Sequence, residues 1–138
     1  MSINRPRRDL KLSMKLFTVE EANALLPSVR LILRKIQRSR RSLSAYRDEA
    51  KLAAEGAEQG GGGMEGGEVY AKILTIFTEE LAELDGIGVQ LKDFDRGLVD
   101  FPSLRDGRVV LLCWQLGEGD ELEWWHDMDA GFGGRTPL

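Results

Sequence analysis

The residues best suited to chemistry gather late in the chain. The only histidine, His126, is followed by Asp127 and Asp129, and the only cysteine, Cys113, lies upstream beside Trp114. His126, Asp127 and Asp129, with Asp100, offer one nitrogen and several oxygens to a metal ion, and Cys113 or Glu123 would join them across a sheet. Transition-metal sites usually draw on two or more His or Cys ligands, and this chain has one of each. A hydrogen-bonded structural histidine is therefore the simpler account. As an acid–base group, His126 would have its tautomer set by a neighbouring carboxylate. No serine lies in the motif to be activated, and Cys113 stands in an apolar run where a thiol stays protonated and inert. Neither a nucleophile elbow nor an HExxH helix is present, so the reading leans away from an enzyme, and no cofactor is expected.

A third chemistry is anion binding. Gly131, Gly133 and Gly134 would free backbone N–H groups, and Arg135 would fork onto a carboxylate or phosphate. The plainer role for Arg135 is to pin the C-terminal tail by pairing with an acidic residue such as Asp100 or Asp129. A small-ligand site would need Asp100, Trp125, His126, Asp129 and Arg135 to converge on one concave surface.

The elements that must position these residues begin with helices. Residues 1–15 carry Arg5, Arg7, Arg8, Lys11 and Lys15 with little to bury, and read as a disordered basic arm. Residues 16–138 read as one domain. Thr18 and Glu21 form a capping box with Phe17 as the staple residue. Pro27 is expected to end a short first helix near Leu25 or Leu26 and open a second. Val29, Ile32, Ile36, Leu43, Tyr46, Ala50 and Ala53 then recur at steps of three and four, with Ser39 the polar exception. Residues 56–67 read as a flexible glycine-rich loop. Tyr70, Leu74, Phe77, Leu81 and Leu84, widened by Ile73 and Ile76, make a second seam.

At Asp85-Gly86 the period changes to two. Ile87, Val89 and Leu91 suggest a strand, and residues 97–101 a second one stopped by Pro102. Asp106-Gly107 is the strongest turn signal, leading into a central strand over Arg108–Leu116. Residues 121–126 form the last strand, with Leu122, Trp124 and His126 on one face and Trp125 on the other. On that phasing Trp114 and Trp124 fill the core and Trp125 is exposed beside Phe132, as at an interface. The tail beyond Asp127 is too rich in glycine for regular structure. The fold class is thus α+β: a long antiparallel helical hairpin packed on a small antiparallel sheet of three to four strands.

Several separated segments resemble a bacterial family, domain of unknown function 2203. They are Phe17-Thr18, Glu20-Glu21-Ala22-Asn23, Leu25-Leu26-Pro27, Lys92-Asp93, Gly97-Leu98-Val99-Asp100-Phe101-Pro102, Leu112-Cys113-Trp114, Leu116-Gly117-Glu118, Trp125-His126, Gly131-Phe132 and Gly134-Arg135. The resemblance spans residues 16 to 138. It implies a soluble domain and carries over no catalytic residue.

Charge and composition bound the function. With 42% hydrophobic and 30% charged residues the chain is ordinary for a soluble protein. It has no apolar run of the roughly 20 residues that a membrane span needs, and no apolar segment of the kind that follows arginines in a signal peptide. One cysteine fits a reducing cytoplasm. Residues 1–51 hold 13 of 19 Lys/Arg and 5 of 23 Asp/Glu, a balance of +8; the remainder holds 6 and 18, a balance of −12, and together they return −4. The split suits a basic helix packed on an acidic one, within the chain or across a homodimer. A nucleic-acid accessory using an Arg30, Arg34, Arg38 and Arg41 stripe is the alternative. The leading expectation is a non-enzymatic binding or assembly module that homodimerises. A small-ligand or metal site around Trp125-His126 stands second.

Overall fold

The computed structural model describes residues 14–56 and 64–138. Helix α1 spans Val19–Gly56 and helix α2 spans Met64–Ile87. Strands β1 (Gln90–Asp93), β2 (Leu98–Arg105), β3 (Arg108–Gln115), β4 (Trp124–Asp127) and β5 (Thr136–Pro137) form one antiparallel meander in chain order. The architecture is α+β, with five strands rather than three to four. Of the expected basic arm, all but Met14 and Lys15 lies outside the described residues. The centre of the expected glycine loop also lies outside them, while Gly56 and residues 64–67 belong to the two helices.

The capping box opens α1 as its spacing requires. The Thr18 N–H donates to Glu21 Oε1 at 2.9 Å, and the Glu21 N–H donates to Thr18 Oγ1 at 3.0 Å. Pro27 does not end this helix. It costs one backbone hydrogen bond and about 3 kcal/mol. Ala22 and Leu26 before it and Val29 and Leu33 after it all bury in the same core, each large side chain contributing about 1.5–3 kcal/mol. Burial outweighs the break, and the ring itself stands on the solvent side.

Ser39 donates to Glu80 Oε1 across the hairpin at 2.5 Å, a pair placed symmetrically about the connection, so α1 and α2 run antiparallel. The expected strand at Ile87 is instead the end of α2, because Leu84 and Ile87 face the core at helical spacing. Gly88, with φ of 100°, ends the helix: its N–H donates to the Asp85 carbonyl and that of Val89 to Leu84.

The β2–β3 turn is the two-residue hairpin that Asp106-Gly107 announces, both with positive φ (51° and 78°). Pro102 lies within β2 rather than stopping it. β1 pairs with β2 only as far as Asp100, so the nitrogen of Pro102 faces no strand, and its carbonyl accepts from the Phe17 N–H at 2.7 Å. β4 starts later than expected, and the stretch before it is irregular. There the Leu122 N–H donates to Asn23 Oδ1 of α1 at 2.6 Å. The tail, expected to be irregular, returns as β5 against Trp124 and Trp125.

The helices cover one face of the sheet. The core joins Phe17, Ala22, Leu26, Val29, Leu33 and Ile36 to Val99, Phe101, Leu112, Trp114 and Leu122, with Phe17 and Phe101 edge to face at 5.4 Å. Among the described residues it takes nothing from α1 beyond Ile36, Leu43 being buried apart from it, and only Leu84 is fully buried from α2. Thirty-eight helical residues reach about 57 Å, whereas the eight residues of β2 reach about 27 Å. The hairpin therefore projects well past its sheet.

Candidate functional site

Strand alternation sends Val99, Phe101, Leu112 and Trp114 toward the helices and Leu98, Asp100, Leu111 and Cys113 to the other face. β4 joins in register, with Trp125 opposite Leu112, Trp124 opposite Cys113 and His126 opposite Leu111. Trp125 thus packs against the helix-side core, and Trp124 and His126 occupy the far face. This reverses the expected phasing. Leu122, which does reach the helix side, precedes the regular strand, so counting by twos from it assigns Trp124 and His126 to the wrong face.

On the far face three unlike side chains meet. Asp100, Cys113 and His126 are 2%, 1% and 3% exposed, and their donor atoms lie within 4.8 Å of one another. His126 Nε2 is 3.1 Å from Asp100 Oδ1, and Nδ1 is 2.8 Å from the Asp127 carbonyl oxygen. A carbonyl can only accept, so Nδ1 carries a hydrogen. Burial first, and then the Asp100 charge, push the Cys113 thiol up from 9.0 to about 12. The thiol is protonated and faces the carboxylate.

The C-terminal segment roofs this face. Met128, Gly131 and Phe132, with Lys92, Leu98 and Leu111, line a half-open cavity of about 150 Å³ against Asp100 and His126. Arg135 donates through Nη2 to both Glu118 oxygens, at 2.7 and 2.9 Å, and stacks on Trp124 (4.9 Å) and Phe132 (4.5 Å). Arg96 covers Phe132 at 4.0 Å. Arg135 does pin the tail, and its partner is Glu118 rather than Asp100 or Asp129.

The five residues expected to converge do not share one surface. Asp100 and His126 come together, with Arg135 on the same side. Trp125 faces the helices, where Arg105 lies over its ring at 4.8 Å. Asp129 is exposed in the turn after β4, and Asp127 pairs with Arg108 at 3.0 Å. Asp127 and Asp129 are accordingly not placed to ligate beside His126, and Glu123 is exposed before β4.

The residue missing from that set, Cys113, was legible. A two-residue turn at 106–107 puts Arg105 opposite Arg108 and hence Asp100 opposite Cys113. Lys92 and Met128 had no such signal, because they arrive through a bulged strand pairing and a tail turn.

The helical face differs in kind. Arg30 is taken up by Asp120 (3.1 Å) and the Trp114 ring (5.5 Å), so the basic stripe shortens to Arg34, Arg38 and Arg41, all exposed. Glu79 and Glu83 on α2 are exposed as well.

A family model described as an uncharacterized conserved protein, DUF2203, matches residues 15–138. The chain belongs to that family. No curated protein and no solved structure matches it. Among the described residues no helix is long and apolar enough to cross a membrane.

Proposed function

We propose that this DUF2203 domain is a non-enzymatic binding and assembly module that pairs with a second copy of itself through the outer half of the helical hairpin. The observation that carries this reading is the apolar surface on the part of the hairpin that outruns the sheet. Leu74, Ile76 and Val69 of α2 are 43%, 45% and 39% exposed, and Leu52 of α1 is 67% exposed. They flank the half-buried seam of Tyr70, Ile73 and Phe77. Two helices alone cannot bury so wide an apolar arc, and grouped exposed hydrophobics of this kind mark interfaces.

The choice of a second copy rests on charge. A two-fold axis along the hairpin lays α1 of one chain beside α2 of the other, so the contact continues toward the sheet end, where Arg34, Arg38 and Arg41 meet Glu79 and Glu83 reciprocally. The single free and buried cysteine supports a reducing, cytoplasmic setting.

Sedimentation equilibrium of the full chain should give twice the 15.4 kDa chain mass at micromolar concentration. Leu74→Glu with Ile76→Glu should give a monomer of unchanged helix content. A wild-type chain that stays monomeric at every concentration, in low and high salt alike, removes the proposal.

A further inference from the structure

The far face of the sheet holds a cluster that pairing through the hairpin does not use. We infer that Asp100, Cys113 and His126 form a transition-metal site of zinc type, with a fourth ligand drawn from the cavity beneath Met128 and Phe132.

Ligand chemistry comes first. One imidazole, one thiol and one carboxylate make the mixed nitrogen, sulfur and oxygen set that tetrahedral zinc accepts. The three side chains come from β4, β3 and β2, adjacent strands whose register holds them together. Their donor atoms, within 4.8 Å of one another, need to close by only about an ångström to meet bonds of about 2.3 Å to sulfur and 2.0 Å to nitrogen.

Orientation is the second argument. A metal-bound histidine ordinarily donates its other ring N–H to a carbonyl or carboxylate. His126 already does so, from Nδ1 to the Asp127 carbonyl, and Nε2 is the nitrogen turned toward Asp100. The 150 Å³ cavity borders Asp100 and His126 and is roomy enough for water. Three protein ligands and one open position describe a site that can bind and exchange a small ligand.

Charge balance is the third. A divalent ion bound by a carboxylate, a thiolate and a neutral imidazole leaves no net charge in a buried place, where an uncompensated ion is costly. The nearby Arg135 is already neutralised by Glu118.

Cobalt(II) chloride added to the chelated full chain should bind one equivalent and produce a thiolate-to-cobalt charge-transfer band. Cys113→Ser should lose the band, and zinc(II) chloride should displace cobalt from the wild type. X-ray absorption on the zinc-loaded wild type needs no variant and should show a single sulfur at about 2.3 Å among nitrogen and oxygen neighbours. A zinc shell of nitrogen and oxygen alone overturns the inference, as does a cobalt spectrum without the band. A folded Cys113→Ser that keeps the band overturns it equally. If Cys113→Ser does not fold, the absorption spectrum of the wild type decides.

Discussion

The two faces of one sheet are built on opposite principles. Toward the helices, Val99, Phe101, Leu112 and Trp114 bury hydrocarbon against α1, and their stabilisation grows with area and tolerates some change of shape. Away from the helices, alternate residues of the same strands present Asp100, Cys113 and His126, equally buried but polar. Such groups stabilise little on net and cost a great deal when one partner is lost. A strand therefore delivers bulk stability on one side and a specific, fragile constellation on the other.

Three experiments break or sharpen this contrast. Trp114→Ala should have the largest effect, about 3–5 kcal/mol of unfolding free energy, since it empties the centre of the apolar face. It also removes the indole N–H bond to the Gly119 carbonyl. Urea denaturation reads it, and a loss under about 1 kcal/mol contradicts the assigned core.

Asp100→Ala in chelated protein should cost about 3 kcal/mol, because it leaves buried His126 Nε2 and the Cys113 thiol without their polar partner. The double replacement Asp100→Val with His126→Leu should cost less than Asp100→Ala, which a double-mutant cycle measures. If the double variant is the worse, the far face behaves as the near one does.

The smallest effect concerns pH. The folded chain holds the Cys113 proton to about 12, whereas the unfolded thiol releases it from 9.0. The native state then binds more protons than the unfolded chain, so this contribution is complete below pH 9 and is lost as pH rises toward 12. Urea midpoints measured on either side of pH 9 should fall in the wild type and fall less in Cys113→Ala. Identical curves would mean that the thiol is not held as the cluster holds it.

Local chemistry made much of this legible in the residues themselves. Thr18 and Glu21 cap α1 because both partners lie within one turn, and Asp106-Gly107 sets the β2–β3 register because few other residue pairs adopt that turn. Pro27 and Pro102 misled for a common reason. A proline states what its own backbone forfeits, while the burial of Leu26 and Val29 around one, and the free edge beside the other, are supplied by distant parts of the chain. Ile87 misled differently: Ile87, Val89 and Leu91 fit a period of two, yet Ile87 also completes a helical step from Leu84.

By itself, the sequence determined the α+β class, the capping box, the apolar seams and the pairing of Asp100 with Cys113. These are properties of neighbours, or of strands joined by a two-residue turn. Only the tertiary structure decided where His126 goes. Between Gln115 and Trp124 the chain is irregular, and irregular backbone carries no alternation from β3 to β4. The face that His126 takes is set instead by the Asn23 bond to Leu122 and by the tail that pairs with β4.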